Sequence, residues 1–376
     1  MSKLVRFLQE LVALPSINPA FLEDRPELTG EQRVADFLLA WSARAGLEVE
    51  TMPVLEGRFN LVATLQSKGQ TRQRVVLAPH LDTASVPDET LLTPRRKGDR
   101  IYGRGTCDTK GCVAAMLEAV ARVAKSGQRP DSTEIVFLGL VDEESGQEGS
   151  RAAVDAGFSA DLAIVGEPTQ LKVVTAHKGD VWLHIDTVGK AAHGSRPELG
   201  KNAIHEMSRV VSVLETEYAE ALRLKRHPLL RHATINVGTI EGGKQPNIVP
   251  DACRISIDRR TLPGEDLESV MAELRALFRA HGLKARLTNM RGGPCVALET
   301  DTNQPLVRAL MRTTGQRKPV GVDYFCDAAV LSAGGIPSVV FGPGDIAQAH
   351  TSDEWIAIES LERGADQLER FLRTLP

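Results

Sequence analysis

Side chains of the metal-ligand type stand just beyond several short apolar runs. RVVLAPH ends in His80 and is followed by Asp82, and IYGRGTCDTKG sets Asp108 immediately before a helical pattern. TEIVFLGLVDEE runs into Asp142, Glu143 and Glu144, DLAIVGEPT reaches Glu167, and PSVVFGPGDIAQAHTSDEW carries His350. Each has an ordinary reading: a hydrogen-bonded histidine, an aspartate capping a helix, a solvated acidic loop. Collected in one crevice they are harder to explain that way, because like charges repel unless a cation compensates them. Two imidazoles and three carboxylates suit zinc, cobalt or manganese better than calcium or magnesium. If one carboxylate bridges two ions about 3.5–4 Å apart, the five ligands divide into three per metal and leave room for a water, the open arrangement of a hydrolase.

The elements that must position these residues follow from the pattern of apolar runs. From Arg74 onward, β-branched runs alternate with helical stretches such as GCVAAMLEAVARVAKSG, and IPSVVFGPG with SLERGADQLERFLRTL resumes the pattern near the C-terminus. This predicts an α/β catalytic domain, a mostly parallel sheet with helices on both faces, with ligands at the carboxyl ends of its strands. Between about residues 178 and 289 the order becomes β-α-β-β-α-β, the split motif of a two-layer, ferredoxin-like α+β sandwich. The expected domains are therefore 1–177 with 290–376, holding the metals, and an inserted 178–289. At the amino end, Leu4, Phe7, Leu8, Leu11, Val12 and Leu14 form one helical stripe, and Arg6 and Glu10 interrupt any signal-peptide core.

The pieces HLD (80–82), GRGTCDTKG (103–111), DEESGQEGS (142–150), GEPT (166–169) and GPGDIAQAHTSDEW (342–355) resemble the family of acetylornithine deacetylase, succinyl-diaminopimelate desuccinylase, aminoacylase and carboxypeptidase G. The resemblance covers nearly the whole chain, and GPGDIAQAH with TSDEW looks more similar to the acetylornithine deacetylase branch. It implies two Zn²⁺ ions, with Co²⁺ as a substitute: His80 and Glu167 on one, Glu144 and His350 on the other, and Asp108 between them. Glu143 is then the general base, and Asp82 orients His80 from behind. The same resemblance makes the peptide after Asp108 cis and the inserted domain a lid and dimerisation domain. His193, in AAHGSRPELGKNAI, then serves the active site of the partner subunit of a homodimer. Asn247 and Arg260 match substrate-binding positions, although on residue type alone Asn247 is a turn residue and Arg260 a surface strand residue. The implied activity is removal of an N-acyl group from a small amino-acid substrate, with desuccinylase, aminoacylase and dipeptidase or carboxypeptidase activities as alternatives within the same chemistry.

Other functions fit less well. A net charge of −4 with scattered Lys and Arg gives no footprint for nucleic acid. No apolar run approaches the roughly 18 residues of a membrane span, so a cytoplasmic location without membrane attachment is expected. Five cysteines without a C-x-x-C pair indicate neither a disulfide framework nor a thiolate metal site. GRGTCDTKG lacks the third glycine of a dinucleotide fingerprint and the G-K-[ST] of a P-loop. A non-catalytic binding protein on the same fold is the rival from another class, expected to lack Glu143 or a ligand. Cys107, where the family often carries a small residue, and Cys326, where a hydroxyl residue is common, are the departures nearest the site.

Overall fold

The computed structural model describes residues 2–22 and 24–376. The chain forms two units, one running through Thr175 and taking in Thr300–Val320 and Cys326–Pro376, the other made of Ala176–Glu299 and Gly321–Phe325.

In the first unit the strands Thr133–Gly139, Gln73–Pro79, Leu162–Gly166 and Ser338–Val340 lie side by side in that order, each parallel to the next. Arg58–Leu65 and Glu48–Leu55 extend the Thr133–Gly139 edge in antiparallel fashion. The central strands read as unbroken apolar runs because both of their faces are covered. Val75, Leu77, Ile135, Phe137, Leu162 and Ile164 join the main core with the helices Lys3–Val12 and Lys110–Lys125. The alternate residues Val76, Val136, Leu138, Ala163 and Val165 are buried as well, and helix Asp327–Ala333 packs on two of these strands. Each of the Val, Leu, Ile and Phe side chains among them contributes roughly 1.5–3 kcal/mol on burial.

Lys110–Lys125 is enclosed along most of its length, with helices Ile358–Leu372 and Lys3–Val12 packed over it. This fixes the helix whose first turn follows Asp108. A small antiparallel sheet of Arg95–Lys97, Arg100–Tyr102 and Trp355–Ala357 ties the segment before Asp108 to the segment after His350.

The second unit has the strand order expected of a split β-α-β motif: Thr234–Gly242, Ala252–Thr261, Gly179–Val188, Ala285–Asn289, all antiparallel. Period-2 alternation sends Leu183, Ile185, Ile255 and Ile257 inward against Met207, Val210, Val270, Leu274 and Phe278. Helix Leu267–Ala280 begins at a reciprocal cap between Asp266 and Ser269. Beyond Asn289 the chain stays with this unit as far as Glu299, ten residues past the expected junction. The reasons are local: Leu298 and Glu299 pair with His177 and Ala176, and Asp180 N–H donates to the Cys295 carbonyl at 2.8 Å. Gly321–Phe325 also belongs here, Gly321 lying so close to Leu229 that an added Cβ would come within 2.7 Å of its carbonyl oxygen.

Candidate metal centre

The parallel strands deliver their carboxyl ends to one edge, as open α/β sheets do. Gln73–Pro79 leads directly into His80, Thr133–Gly139 leads through Leu140 and Val141 to the acidic loop, and Leu162–Gly166 leads into Glu167. The acidic loop turns at Asp142, whose φ is +69°; the N–H groups of Gly146 and Gln147 return to its carbonyl at 3.1 and 2.7 Å. Gly149 closes the loop, and no larger residue fits there, since a Cβ would lie 2.5 Å from the Val141 carbonyl oxygen.

Two ligand sets result, His80 with Asp108 and Glu167, and Asp108 with Glu144 and His350, each with its ligand atoms within 4.8 Å of one another. Asp108 belongs to both sets. Its Oδ1 lies 3.2 Å from His80 Nε2 and its Oδ2 lies 3.4 Å from His350 Nε2. Glu144 Oε2 is 2.9 Å from His350 Nε2, and Glu167 Oε1 is 3.9 Å from His80 Nε2. The Asp108–Thr109 peptide is cis, as the resemblance implies. The donor set fits two cations: Glu144 Oε1 and Glu167 Oε1 are buried with no hydrogen-bond partner, and buried carboxylate oxygens need one.

Asp82 sits behind this group. His80 Nδ1 is 3.0 Å from the Asp82 backbone carbonyl and 3.3 Å from its Oδ1, so the main chain shares the orienting task assigned to the carboxylate. The carboxylate itself accepts the N–H groups of Glu143 and Glu144 at 3.1 and 3.0 Å and the Asn18 amide at 2.8 Å. Asn18 also donates to Asp142 at 3.0 Å, and Arg58 joins Asp142 to Glu31. Asn18, Glu31 and Arg58 have no counterpart among the residues read from sequence, because a buried hydrogen-bonded network leaves no periodic trace.

The electrostatics follow from crowding. Burial, reinforced by the charge of Glu167, pushes the Glu143 carboxyl well above the usual carboxylate range. Burial likewise raises Glu167, and the nearby Asp108 charge adds to it. His350, hydrogen-bonded to Asp108 and Glu144, is raised to about 10. Burial raises Asp327 to about 7 although Ser150 donates to it at 2.6 Å; this aspartate directly follows Cys326. Cys107 and Cys326 are fully buried, the Cys107 thiol donating to the Asp345 carbonyl at 3.3 Å.

His193, Asn247 and Arg260 lie in the second unit. The His193 imidazole is exposed, with Nδ1 2.7 Å from Ser195 Oγ. Asn247 is its neighbour, its carbonyl accepting Gly194 N–H at 2.7 Å. Arg260 is already engaged, Nε and Nη2 each 2.9 Å from the Asp258 carboxylate.

This site and fold are those of a metal-dependent hydrolase. The chain belongs to peptidase family M20/M25/M40, whose model matches residues 76–374. Its relatives include the acetylornithine deacetylases of Proteus mirabilis (strain HI4320), 30% identical over 95% of this chain and 93% of that one, and of Myxococcus xanthus, 33% identical over 87% and 88%. Among solved structures, a tripeptidase from Staphylococcus aureus subsp. aureus Mu50 superposes with a TM-score of 0.79 at 24% identity, covering 99% of this chain and 97% of that one. A dinuclear metal binding peptidase of the M20 family from Bacillus subtilis gives 0.71 at 12% identity, covering 99% and 97%. These two show a common fold. No helix among the described residues is long and apolar enough to cross a membrane.

Proposed function

We propose that this chain removes the acyl group from an N-acyl amino acid, N-acetylornithine being the leading substrate, at a centre of two zinc ions that cobalt can replace. The observation that carries the reading is the division of Asp108 between two ligand sets; the names of the 30–33% identical relatives support the choice of substrate. In this reading His80 and Glu167 hold one ion, Glu144 and His350 the other, and Asp108 both. When bound, the ions supply Lewis acidity to the scissile carbonyl and to the attacking water. Glu143 takes the proton of that water and returns it to the leaving amine, a task suited to a carboxyl whose affinity for protons is raised by burial. Asp82 holds the base in place through the Glu143 N–H at 3.1 Å.

His193, exposed and steadied by Ser195, serves the carbonyl oxygen of a partner subunit in a homodimer formed through the inserted domain. Asn247 and the guanidinium edge of Arg260 left by Asp258 bind the substrate's polar groups. The test is a panel of N-acetyl, N-succinyl and dipeptide substrates assayed with added zinc or cobalt, beside metal analysis of the purified protein. Turnover of N-acetyl amino acids with two ions per chain is expected. Hydrolysis of none of them, or activity unaffected by a chelator, would overturn the reading.

A further inference from the structure

The loop that carries Asp108 has no regular secondary structure from Gly103 to Thr109, yet it must aim one carboxylate in two directions. Its backbone is held by Glu354, a fully buried carboxylate. Glu354 Oε1 accepts the N–H groups of Cys107 and Asp108 at 2.8 and 3.0 Å, and Oε2 accepts Gly105 N–H at 3.0 Å and Arg104 Nη1 at 2.8 Å. Three amides of one irregular loop thus converge on a single charged side chain, an arrangement that fixes backbone direction as well as position.

Glu354 is also placed four residues after His350 and immediately before the strand Trp355–Ala357, and its own carbonyl accepts Gly103 N–H at 3.0 Å. On the other side of Asp108, Thr109 Oγ1 donates to the His80 carbonyl at 3.0 Å. The backbone of the shared residue is therefore stapled to the segment of one ligand set through Thr109 and to the segment of the other through Glu354. His350 needs such an anchor, since its side chain is 59% exposed and its φ is +61°.

We infer that Glu354 is a positioning residue that sets how Asp108 is shared between the two ligand sets. This rests on the two-cation reading above. Glu354→Gln keeps the shape but presents an amide N–H₂ to a ring of donors, so the loop must turn at least one amide away. Asp108 then fits at most one of its two sets well.

The experiment is a calorimetric titration of the full-length, chelator-stripped protein with Zn²⁺, comparing parent, Glu354→Gln and Glu354→Asp, with thermal melting of the same stripped samples. The parent should take up two ions per chain. Glu354→Gln should bind at least one of them about 10–100-fold more weakly, the range expected when a support of a metal ligand is lost, and Glu354→Asp, which keeps the charge, should recover part of that loss. A folded Glu354→Gln protein whose affinities stay within about twofold of the parent, even with a lowered melting temperature, would make Glu354 a stability element only and overturn the inference. So would failure of both variants to fold. A parent that binds fewer than two ions would instead overturn the two-cation reading itself.

Discussion

Replacing Asp82 with asparagine is the most informative single change in the site's support. The carboxylate accepts Glu143 N–H on Oδ1, and Glu144 N–H and the Asn18 amide on Oδ2. Asparagine offers one oxygen and one N–H₂ in the same space. Nitrogen at the Oδ2 place loses both Glu144 and Asn18, whereas at the Oδ1 place it loses Glu143 alone, because His80 Nδ1, 3.3 Å from Oδ1, keeps the Asp82 carbonyl at 3.0 Å; the second orientation is the cheaper. Even then one charge-assisted bond of about 1.5–3 kcal/mol is lost and the Glu143 amide is left unpaired at about 1–3 kcal/mol. The expected destabilisation is about 3–5 kcal/mol, a large part of the roughly 5–15 kcal/mol that holds a domain together. Denaturant unfolding in the presence of chelator measures it, and a zinc titration of the folded variant should show affinity about 10–100-fold weaker. A variant whose unfolding free energy lies within about 0.5 kcal/mol of the parent would refute the reasoning, because the three donors would then have no need of a charged acceptor.

Glu143→Gln removes no ligand, so metal analysis should still find two ions per chain while turnover falls about 10²–10⁴-fold; near-parental activity would remove Glu143 from the role of base. His177 is fully buried with Nε2 unpartnered, and burial lowers it to about 4. The unfolded chain binds this proton below about 6.5 and the folded one does not until about 4. The stability it contributes is therefore complete above pH 6.5 and is lost on descent to pH 4, about 3 kcal/mol in all. Denaturant midpoints between pH 7 and 4 should fall less steeply in His177→Leu than in the parent, and equal slopes would contradict the assignment. Inactive His193→Ala and Glu143→Gln chains, mixed under conditions of subunit exchange, should regain part of the activity; an active monomer by light scattering would place His193 in its own chain's chemistry or in none.

The strands and the insert are legible in the sequence because their causes are periodic. Runs such as EIVFLG announce burial on both faces, and alternation in CRISIDRRT announces burial on one. His80, Glu144, Glu167 and His350 are legible because each comes after a strand of the parallel sheet, and Asp108 because it stands just before a helix. What escapes is held together by single contacts between distant residues. Glu354 looks like any acidic residue in TSDEW until the loop from Gly103 to Asp108 is seen to turn three amides toward it. Asn18 lies just beyond an amphipathic helix, with nothing to say that its amide links Asp82 to Asp142. The continuation of the second unit through Glu299 depends on a two-residue pairing with Ala176 and His177, too short to show as a strand pattern. Arg260 is visible as a guanidinium, and alternation puts Asp258, two residues earlier, on its face; that the two side chains close on each other is a matter of rotamers the pattern does not carry.

The order of the ligands along the chain also has a biosynthetic side. His80, Asp108, Glu144 and Glu167 all precede the inserted unit, whereas His350 follows it. Synthesis proceeds from the amino end, and domains generally form in that order. A nascent chain therefore holds one complete ligand set early and lacks the imidazole of the other until the entire insert has been made. On the two-cation reading, the second site therefore closes only after the insert has been made.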